Sequence, residues 1–253
     1  MIELIPVEKI ENKKHIAILD TSSISFMQEL DGKGIAADIV LQDYELLLIP
    51  NWVLTEINDA AGRKDYVYKL RDKGYPIYRI AEESYSELVN QEEGNLYQIV
   101  LASTYQIGRI KSYLRRFVEK SDILDMDAYQ DWINKLYEEW PIPGPVLSSG
   151  RMKKKNAGEV SITVLSEIVS WYYPETETLT VYSQDSDAYE FQQKAEAELR
   201  KIKISDMKNY RNDIRKITYS RERQDHSVML VMDIIDNDLF IELIQDENVH
   251  IIF

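Results

Sequence analysis

The chain has no cysteine and only three histidines, which stand far apart at His15, His226 and His250. These shortages exclude disulfides, thiolate metal sites and clustered imidazole sites, and the lack of cysteine fits a reducing compartment. No apolar run approaches the ~18 residues that span a membrane. The opening residues, MIELIPVEKIENKK, contain no apolar signal core. We therefore expect a soluble, cytoplasmic protein without a membrane partner.

Positive charge is also in short supply, because 30 Lys and Arg stand against 44 Asp and Glu and the net charge is −14. Broad affinity for nucleic acid needs Lys and Arg against phosphate, so this balance argues against it but leaves room for a local basic track. Acids gathered in a metal cleft, or a basic partner, would also fit. With 253 residues and 44% hydrophobic content, the chain suits one domain with an insertion, or one large and one small domain.

Short apolar segments alternate with helical patterns along most of the chain. Strands are predicted at 15–19, 44–49, 75–80, 179–182 and 217–220, with Pro76 favouring a sheet edge for the third. Helices are predicted at 23–30, 51–73, 158–173 and 187–200, within 82–140 and at 226–235. Asn51 is the expected N-cap of the second helix, and Ser186 or Asp187 that of the helix ending near 200. The alternation implies an α/β fold with a mostly parallel sheet and right-handed crossovers.

We expect four parts along the chain. Residues 1–81 and 156–237 form the two halves of the α/β core. Residues 82–155 form a helical insertion that ends in an exposed loop over 141–157 and includes a basic segment. Residues 238–253 form a closing β-hairpin, because two apolar runs flank the turn-forming residues 245–248.

Five acids lie at or just after the ends of predicted elements: Asp20, Glu56, Glu159, Asp185 and Asp187. Each has an ordinary explanation when taken singly, as a helix cap, a solvated helical acid or a charge that favours a helix N-terminus. Taken together they indicate a shared ligand site, because ligands in parallel sheets lie beyond the carboxyl ends of the strands. Oxygen ligands of this kind suit Mg²⁺ or Mn²⁺, and a cation would relieve the repulsion between the acids.

Polar and basic residues flank these acids. Ser22 and Ser183 could add hydroxyl contacts to a substrate, or they are ordinary turn serines. A basic loop before Glu159 could support a phosphate backbone, or it is simply solvated; it contains Arg151, Lys153, Lys154 and Lys155. A second basic run lies near Tyr105 and Tyr113 and could bind single strands, or it is a solvated helix face; it contains Arg109, Lys111, Arg115 and Arg116.

Four segments, in their order along the chain, resemble the PIN (PilT N-terminus-like) nuclease domain: IAILDTSSI, IPNWVLTEI, NAGEVSITVLSE and VYSQDSDAYEF. The resemblance covers residues 14–80 and 156–237 and implies a three-layer fold around a mostly parallel central sheet. It also implies a Mg²⁺- or Mn²⁺-dependent nuclease that usually acts on RNA. The implied catalytic residues and metal ligands are Asp20, Glu56, Glu159 and Asp185, with Asp187 as a fifth ligand. The chain departs from the family in having Glu159 where Asp is common and in its long stretch over 82–155.

Three hypotheses about the function follow. The first is a metal-dependent endonuclease or ribonuclease whose partner is nucleic acid, with RNA favoured. A toxin or defence effector that is held by a regulatory protein is compatible with this hypothesis, and so is a homo-oligomer. The second is a catalytically weak PIN-fold interaction module, against which the retention of all four acids argues. The third is a metal-dependent phosphatase, whose usual Asp-x-Asp is missing because Asp20 is followed by Thr21 and Ser22.

Overall fold

Strands and helices alternate through the part of the chain that the structure describes. The computed structural model describes residues 3, 5, 9–89, 93–120, 127–201, 215–216 and 231–233. In chain order the elements are β1 (His15–Leu19), α1 (Thr21–Gly32), β2 (Leu46–Pro50), α2 (Asn51–Ile57), α3 (Ala61–Asp72), β3 (Ile77–Ile80), α4 (Tyr85–Leu88), α5 (Glu93–Ser103), α6 (Gly108–Lys120), α7 (Asp127–Glu138), β4 (Pro143–Val146), β5 (Met152–Lys154), α8 (Ala157–Tyr172), β6 (Thr178–Tyr182), α9 (Ser186–Leu199), β7 (Arg215–Lys216) and β8 (Val231–Asp233). Short 3-10 helices lie at 37–41 and 82–84.

One sheet in the described residues has the strand order β3-β2-β1-β6-β8-β7. The first four strands in this order are parallel to one another, whereas β8 is antiparallel to both β6 and β7. Ile18 of β1 pairs with Leu48 on one side and with Val181 on the other. Strands β2 and β6 are buried throughout, which is typical of central parallel strands covered on both faces. An α/β fold built on a four-stranded parallel sheet is therefore confirmed.

Strand β3 stands at the end of this order, as Pro76 favours. Its outer side is partly paired, because Arg79 donates its backbone N–H to Glu3 and accepts from the N–H of Ile5, both at 2.9 Å. The predicted helix over 51–73 is wrong as a single helix, since the chain turns at 58–60 and α3 begins at Ala61. Pro50, rather than Asn51, occupies the N-cap position of α2.

Two further predictions need correction. The loop expected over 141–157 contains an antiparallel hairpin, β4–β5, and its last residue already belongs to α8. The helix expected over 226–235 is wrong at 231–233, where β8 extends the sheet beside β6. A short apolar run fits a buried strand as well as a helix, which explains this error. The strand predicted at 217–220 and the hairpin within 238–253 lie outside the described residues.

The helices predicted between 82 and 140 are present as α4 to α7 in the described residues. Helix α5 packs against α8 and α9, and α7 packs against the 3-10 turn at 82–84. Leu96, Ile99 and Val100 of α5 belong to the same hydrophobic cluster as the strands, so these helices share the core of the sheet. None of the helices in the described ranges combines the length and the apolar character needed to cross a membrane.

The topology brings four chain turns to one edge of the sheet. Helices α1, α2 and α9 begin directly beyond the carboxyl ends of β1, β2 and β6. The first turn of α8 comes to the same edge by packing against α2. Gly158 lies at this contact, because a Cβ atom there would be at van der Waals distance from α2, 3.4 Å from Cγ2 of Val53 and 3.7 Å from Oε1 of Glu56.

Candidate functional site

Asp20 lies between β1 and α1 and is only 8% exposed. Its Oδ1 atom accepts a hydrogen bond from the backbone N–H of Thr21 at 2.7 Å, so it caps α1. Its Oδ2 atom accepts hydrogen bonds from the hydroxyls of Ser22 at 2.6 Å and Ser183 at 2.8 Å. Asp20 therefore caps α1 and also lies at the carboxyl edge of the sheet.

Ser22 and Ser183 join the ends of β1 and β6. Their hydroxyl oxygens are 3.2 Å apart, and Ser183 is fully buried. The Ser22 hydroxyl also accepts from the backbone N–H of Gln184 at 2.9 Å, and that of Ser183 accepts from the N–H of Asp185 at 3.1 Å. Both serines were predicted to contact substrate; in this structure their hydroxyls orient Asp20.

Glu56 lies near the end of α2 with a side chain that is 14% exposed. Burial raises the pKa of this carboxyl, and the charge of Asp20 raises it further, while Lys153 acts in the opposite direction. The Oε2 atom lies 2.7 Å from Nζ of Lys153. The interpretation of Glu56 as a solvated helical acid is therefore wrong, because the side chain is held between α2, α8 and β5.

Glu159 occupies the first turn of α8, where a negative charge is favoured by the helix dipole. Burial and then the charge of Asp20 raise the pKa of this carboxyl to about 7, and Glu56 contributes in the same direction. Asp20, Glu56 and Glu159 are thus within electrostatic reach of one another, although they are far apart in the sequence. The sheet edge brings together three of the five acids that the sequence singles out.

Lys153 of β5 points its ammonium group at this cluster. Burial lowers the pKa of Lys153, but the hydrogen bond and charge of Glu56, followed by the charges of Glu159 and Asp20, raise it above its ordinary value. Lys153 was predicted to support a phosphate backbone. In this structure its ammonium group pairs with Glu56, so the basic loop and the acidic site are in direct contact.

Asp185 and Asp187 have different positions from the other acids. Asp185 is the N-cap of α9, and its Oδ1 atom accepts the backbone N–H of Asp187 at 2.9 Å. The prediction that Ser186 or Asp187 caps this helix is therefore wrong. The backbone N–H of Asp185 is linked to Asp20 through the hydroxyl of Ser183, whereas the side chain of Asp187 is exposed.

The rest of the basic loop divides into two groups. Lys154 donates hydrogen bonds to the backbone oxygens of Tyr137 and Glu138 at the end of α7, and its ammonium lies 4.4 Å from the Tyr137 ring centre. The Lys154 side chain is therefore directed at the end of α7. Arg151 and Lys155 are exposed and remain available to a phosphate.

The second basic run lies on α6 and on the surface. Arg109, Arg115 and Arg116 are exposed. Lys111 places its ammonium 3.5 Å from the ring centre of Tyr105. The hydroxyl of Tyr113 donates to a carboxylate oxygen of Glu139 at 2.7 Å, which is a structural contact. The run therefore offers a cationic and partly aromatic surface.

Sequence reasoning missed Glu82, a buried acid that is 2% exposed. Its Oε1 atom accepts the backbone N–H of Trp52 at 2.9 Å and the hydroxyl of Ser161 at 2.7 Å, which joins the first turn of α2 to α8. Its Oε2 atom has no hydrogen-bond partner among the described residues. Burial raises the pKa of Glu82 to about 8. Nothing local in the sequence marks this residue, because its partners come from distant segments.

Asp59 was also missed, and it anchors the β4–β5 hairpin. Its two carboxylate oxygens accept the backbone N–H groups of Ser148 and Ser149, both at 3.0 Å. Partial burial raises the pKa of Asp59, but these hydrogen bonds outweigh it and hold the pKa at about 2. The turn between α2 and α3 thereby fixes the tip of the hairpin that carries Lys153.

The three central acids have the right chemistry for a hard divalent cation, because carboxylate oxygens are what Mg²⁺ and Mn²⁺ prefer. Two of them have pKa values raised by burial, so a nearby positive charge would be stabilising. Among the described residues, however, no three acidic, histidine or cysteine side chains already stand at the spacing of a metal site. Binding would therefore need side-chain rotation of acids whose backbones the fold already brings together.

Comparisons with protein-family models, with curated proteins and with solved structures find nothing that matches this chain. The function is therefore inferred from the geometry of the site.

Proposed function

We propose that this protein is a divalent-cation-dependent nuclease of the PIN type, with RNA as its favoured substrate. The observation that carries the proposal is the convergence of Asp20, Glu56 and Glu159 at the carboxyl edge of the parallel sheet. The order of the four PIN-like segments along the chain supports it. Ligands of parallel sheets bind beyond this edge, and carboxylates collected there suit metal-assisted phosphodiester hydrolysis.

The five acids would divide into two groups. Asp20, Glu56 and Glu159 would hold Mg²⁺ or Mn²⁺, with Asp185 and Asp187 at the margin of the site. The cation would polarise the phosphate and favour the attack of water on the phosphodiester. Ser22 and Ser183 keep Asp20 in one orientation through hydrogen bonds of 2.6 and 2.8 Å.

Glu159 gives the proposed site a defined pH response. Its pKa is raised to about 7, so a proton and a cation would compete for this carboxyl near neutral pH. The affinity for the cation is therefore expected to rise as the pH increases from about 6 to 8. A carboxyl with a pKa in this range is also suited to proton exchange during hydrolysis.

The substrate would enter beside the β4–β5 hairpin. Arg151 and Lys155 are exposed there and could neutralise phosphates next to the acids. RNA is favoured over DNA by the resemblance alone. A cytoplasmic location, and a role as a toxin or defence effector with a regulatory partner, belong to the same proposal.

The test is cleavage of labelled single-stranded RNA and of DNA with the same sequence, in Mn²⁺, in Mg²⁺ and in EDTA. Asp20→Asn and Glu159→Gln keep the size of each side chain and remove its charge. Asp65→Asn removes a charge from an exposed position on α3 and is the control. We expect cleavage that requires the cation, is lost in both site variants and persists in the control. Absence of cleavage together with absence of Mn²⁺ binding would contradict the proposal.

A PIN-fold interaction module is the second candidate, because the acids already have internal partners. Lys153 pairs with Glu56 at 2.7 Å, and two serine hydroxyls satisfy Oδ2 of Asp20. A site compensated in this way needs no cation for stability. This candidate predicts a folded protein whose melting temperature does not respond to Mn²⁺, whereas the nuclease proposal predicts an increase.

A further inference from the structure

Lys153 occupies the position where a cation is expected. Its Nζ atom lies 2.7 Å from Oε2 of Glu56, and its side chain is 30% exposed. Asp20 and Glu159 also act on it electrostatically, so one ammonium group pairs with Glu56 and lies within electrostatic range of two further carboxyls from different segments. The charge of Arg63 also lowers the pKa of Glu56, but it is the ammonium group of Lys153 that lies at ion-pair distance from this carboxyl.

We propose that Lys153 is a tethered cation that neutralises the acidic site in its metal-free form, and that a divalent cation must displace its ammonium group from Glu56 in order to bind. This inference rests on the proposed function, because it concerns the same three acids. It adds a regulatory residue that sets the affinity of the site for the metal.

The backbone on both sides of Lys153 is held by different elements. On the tip side, Asp59 accepts hydrogen bonds from Ser148 and Ser149. On the base side, the indole N–H of Trp140 donates to the backbone oxygen of Lys155 at 2.9 Å. Lys154, the next residue, binds the last carbonyls of α7. The hairpin therefore has no need to open, and displacement requires only rotation of the Lys153 side chain.

Rotation is feasible because a lysine side chain is long and flexible and this one is partly exposed. The Oε2 atom of Glu56 would have to exchange the ammonium group for the metal ion. The ammonium group thus opposes metal binding both as a competitor for Glu56 and as a positive charge near the ion. Removing it should strengthen metal binding and leave the acids of the metal-free protein without compensation.

Isothermal titration calorimetry with Mn²⁺ at pH 7.5 tests the proposal on the 253-residue chain. Lys153→Met keeps the length of the side chain and removes its charge, whereas Lys153→Arg keeps the charge. Lys155→Met removes a charge from an exposed position two residues away and controls for the long-range field. We expect Lys153→Met to bind Mn²⁺ on the order of tenfold more tightly than the wild type. Lys153→Arg should stay within about twofold of the wild type because it keeps a positive charge beside Glu56. Lys155→Met should do so because exposed charges at a distance are screened by salt.

The melting temperature without metal provides a second readout. We expect it to be lower in Lys153→Met than in Lys155→Met, and Mn²⁺ should raise it more in Lys153→Met than in the wild type. If the wild type binds Mn²⁺ and Lys153→Met binds it equally or more weakly, the inference about Lys153 is overturned and the metal site stands. If neither protein binds Mn²⁺, the inference and the proposed nuclease function are both overturned.

Discussion

The hydroxyl of Ser183 donates a hydrogen bond of 2.8 Å to Oδ2 of Asp20, and so connects the carboxyl ends of β6 and β1. The two residues are 163 positions apart in the chain. Ser183 is fully buried, so water cannot easily replace its hydroxyl. This contact fixes the orientation of the central acid.

Ser183→Ala should therefore lower the free energy of unfolding by about 1–3 kcal/mol, because a buried carboxylate loses a hydrogen-bond donor. Ser22→Ala removes the other donor to the same oxygen at a partly exposed position, where water can substitute, and should cost less. Urea unfolding followed by circular dichroism measures both. An equal or larger loss in Ser22→Ala would contradict this account of the contact.

Glu82 should make stability depend on pH in a direction opposite to that of an ordinary paired acid. Its pKa is about 8 in the folded protein and 4.5 in the unfolded chain, so the folded state holds the proton more tightly. Its contribution to the free energy of unfolding is fully present below about pH 4.5 and is lost as the pH rises through about 8. The slope between these values is at most about 1.4 kcal/mol per pH unit.

Glu82→Gln keeps an oxygen acceptor for the N–H of Trp52 but cannot ionise. Its melting temperature should fall less between pH 5 and pH 9 than that of the wild type. Glu83→Gln, at the adjacent and less buried position, is the control and should follow the wild type. Parallel pH curves for the wild type and Glu82→Gln would show that the buried carboxyl does not titrate in this range.

Asp59 should hold the hairpin in place over a wide pH range. Its pKa is lowered from 3.8 to about 2, so its contribution is present above about pH 4 and is lost only as the pH falls through about 2. Asp59→Ala should speed amide exchange at Ser148 and Ser149 and trypsin cleavage after Arg151. Asp65→Ala, on the exposed surface of α3, should leave both rates unchanged. Equal exchange in the two variants would rule out Asp59 as the anchor.

The basic loop should divide into residues that bind nucleic acid and one that stabilises a helix. Arg151→Ala and Lys155→Ala should weaken RNA binding and each reduce the salt slope of the binding constant by about 0.7, the value for one phosphate contact on a single strand. Lys154→Ala should leave that slope unchanged and lower the melting temperature, because the last carbonyls of α7 lose their donor. Fluorescence anisotropy with labelled RNA between 50 and 300 mM NaCl separates the two effects. A changed slope in Lys154→Ala would contradict the division.

The parts of the site that the sequence predicts are those with a local signal. A buried apolar run followed by Asp20 marks a strand end, and the same holds for Asp185. Parallel topology then brings such ends to one edge without any knowledge of side-chain contacts. The PIN resemblance itself stays a prediction, since none of the comparisons decides it.

The remaining features depend on contacts between distant segments. The role of Glu82 arises from Trp52 and Ser161, which are 30 and 79 residues away. The pairing of Lys153 with Glu56 requires the β4–β5 hairpin, and its proline- and glycine-rich sequence is typical of a loop. Asp185 and Asp187 are only two residues apart, and a pattern in the sequence does not resolve which of them caps α9.

Anomalous diffraction from crystals grown in saturating MnCl₂ would show whether a cation binds between the acids, because manganese is located independently of the protein density. We expect an anomalous peak within bonding distance of carboxylate oxygens of Asp20 and Glu159, with the Lys153 ammonium displaced from Glu56. Crystals that show no peak at this edge of the sheet, with Lys153 still paired to Glu56, would contradict the cation site and the nuclease mechanism built on it.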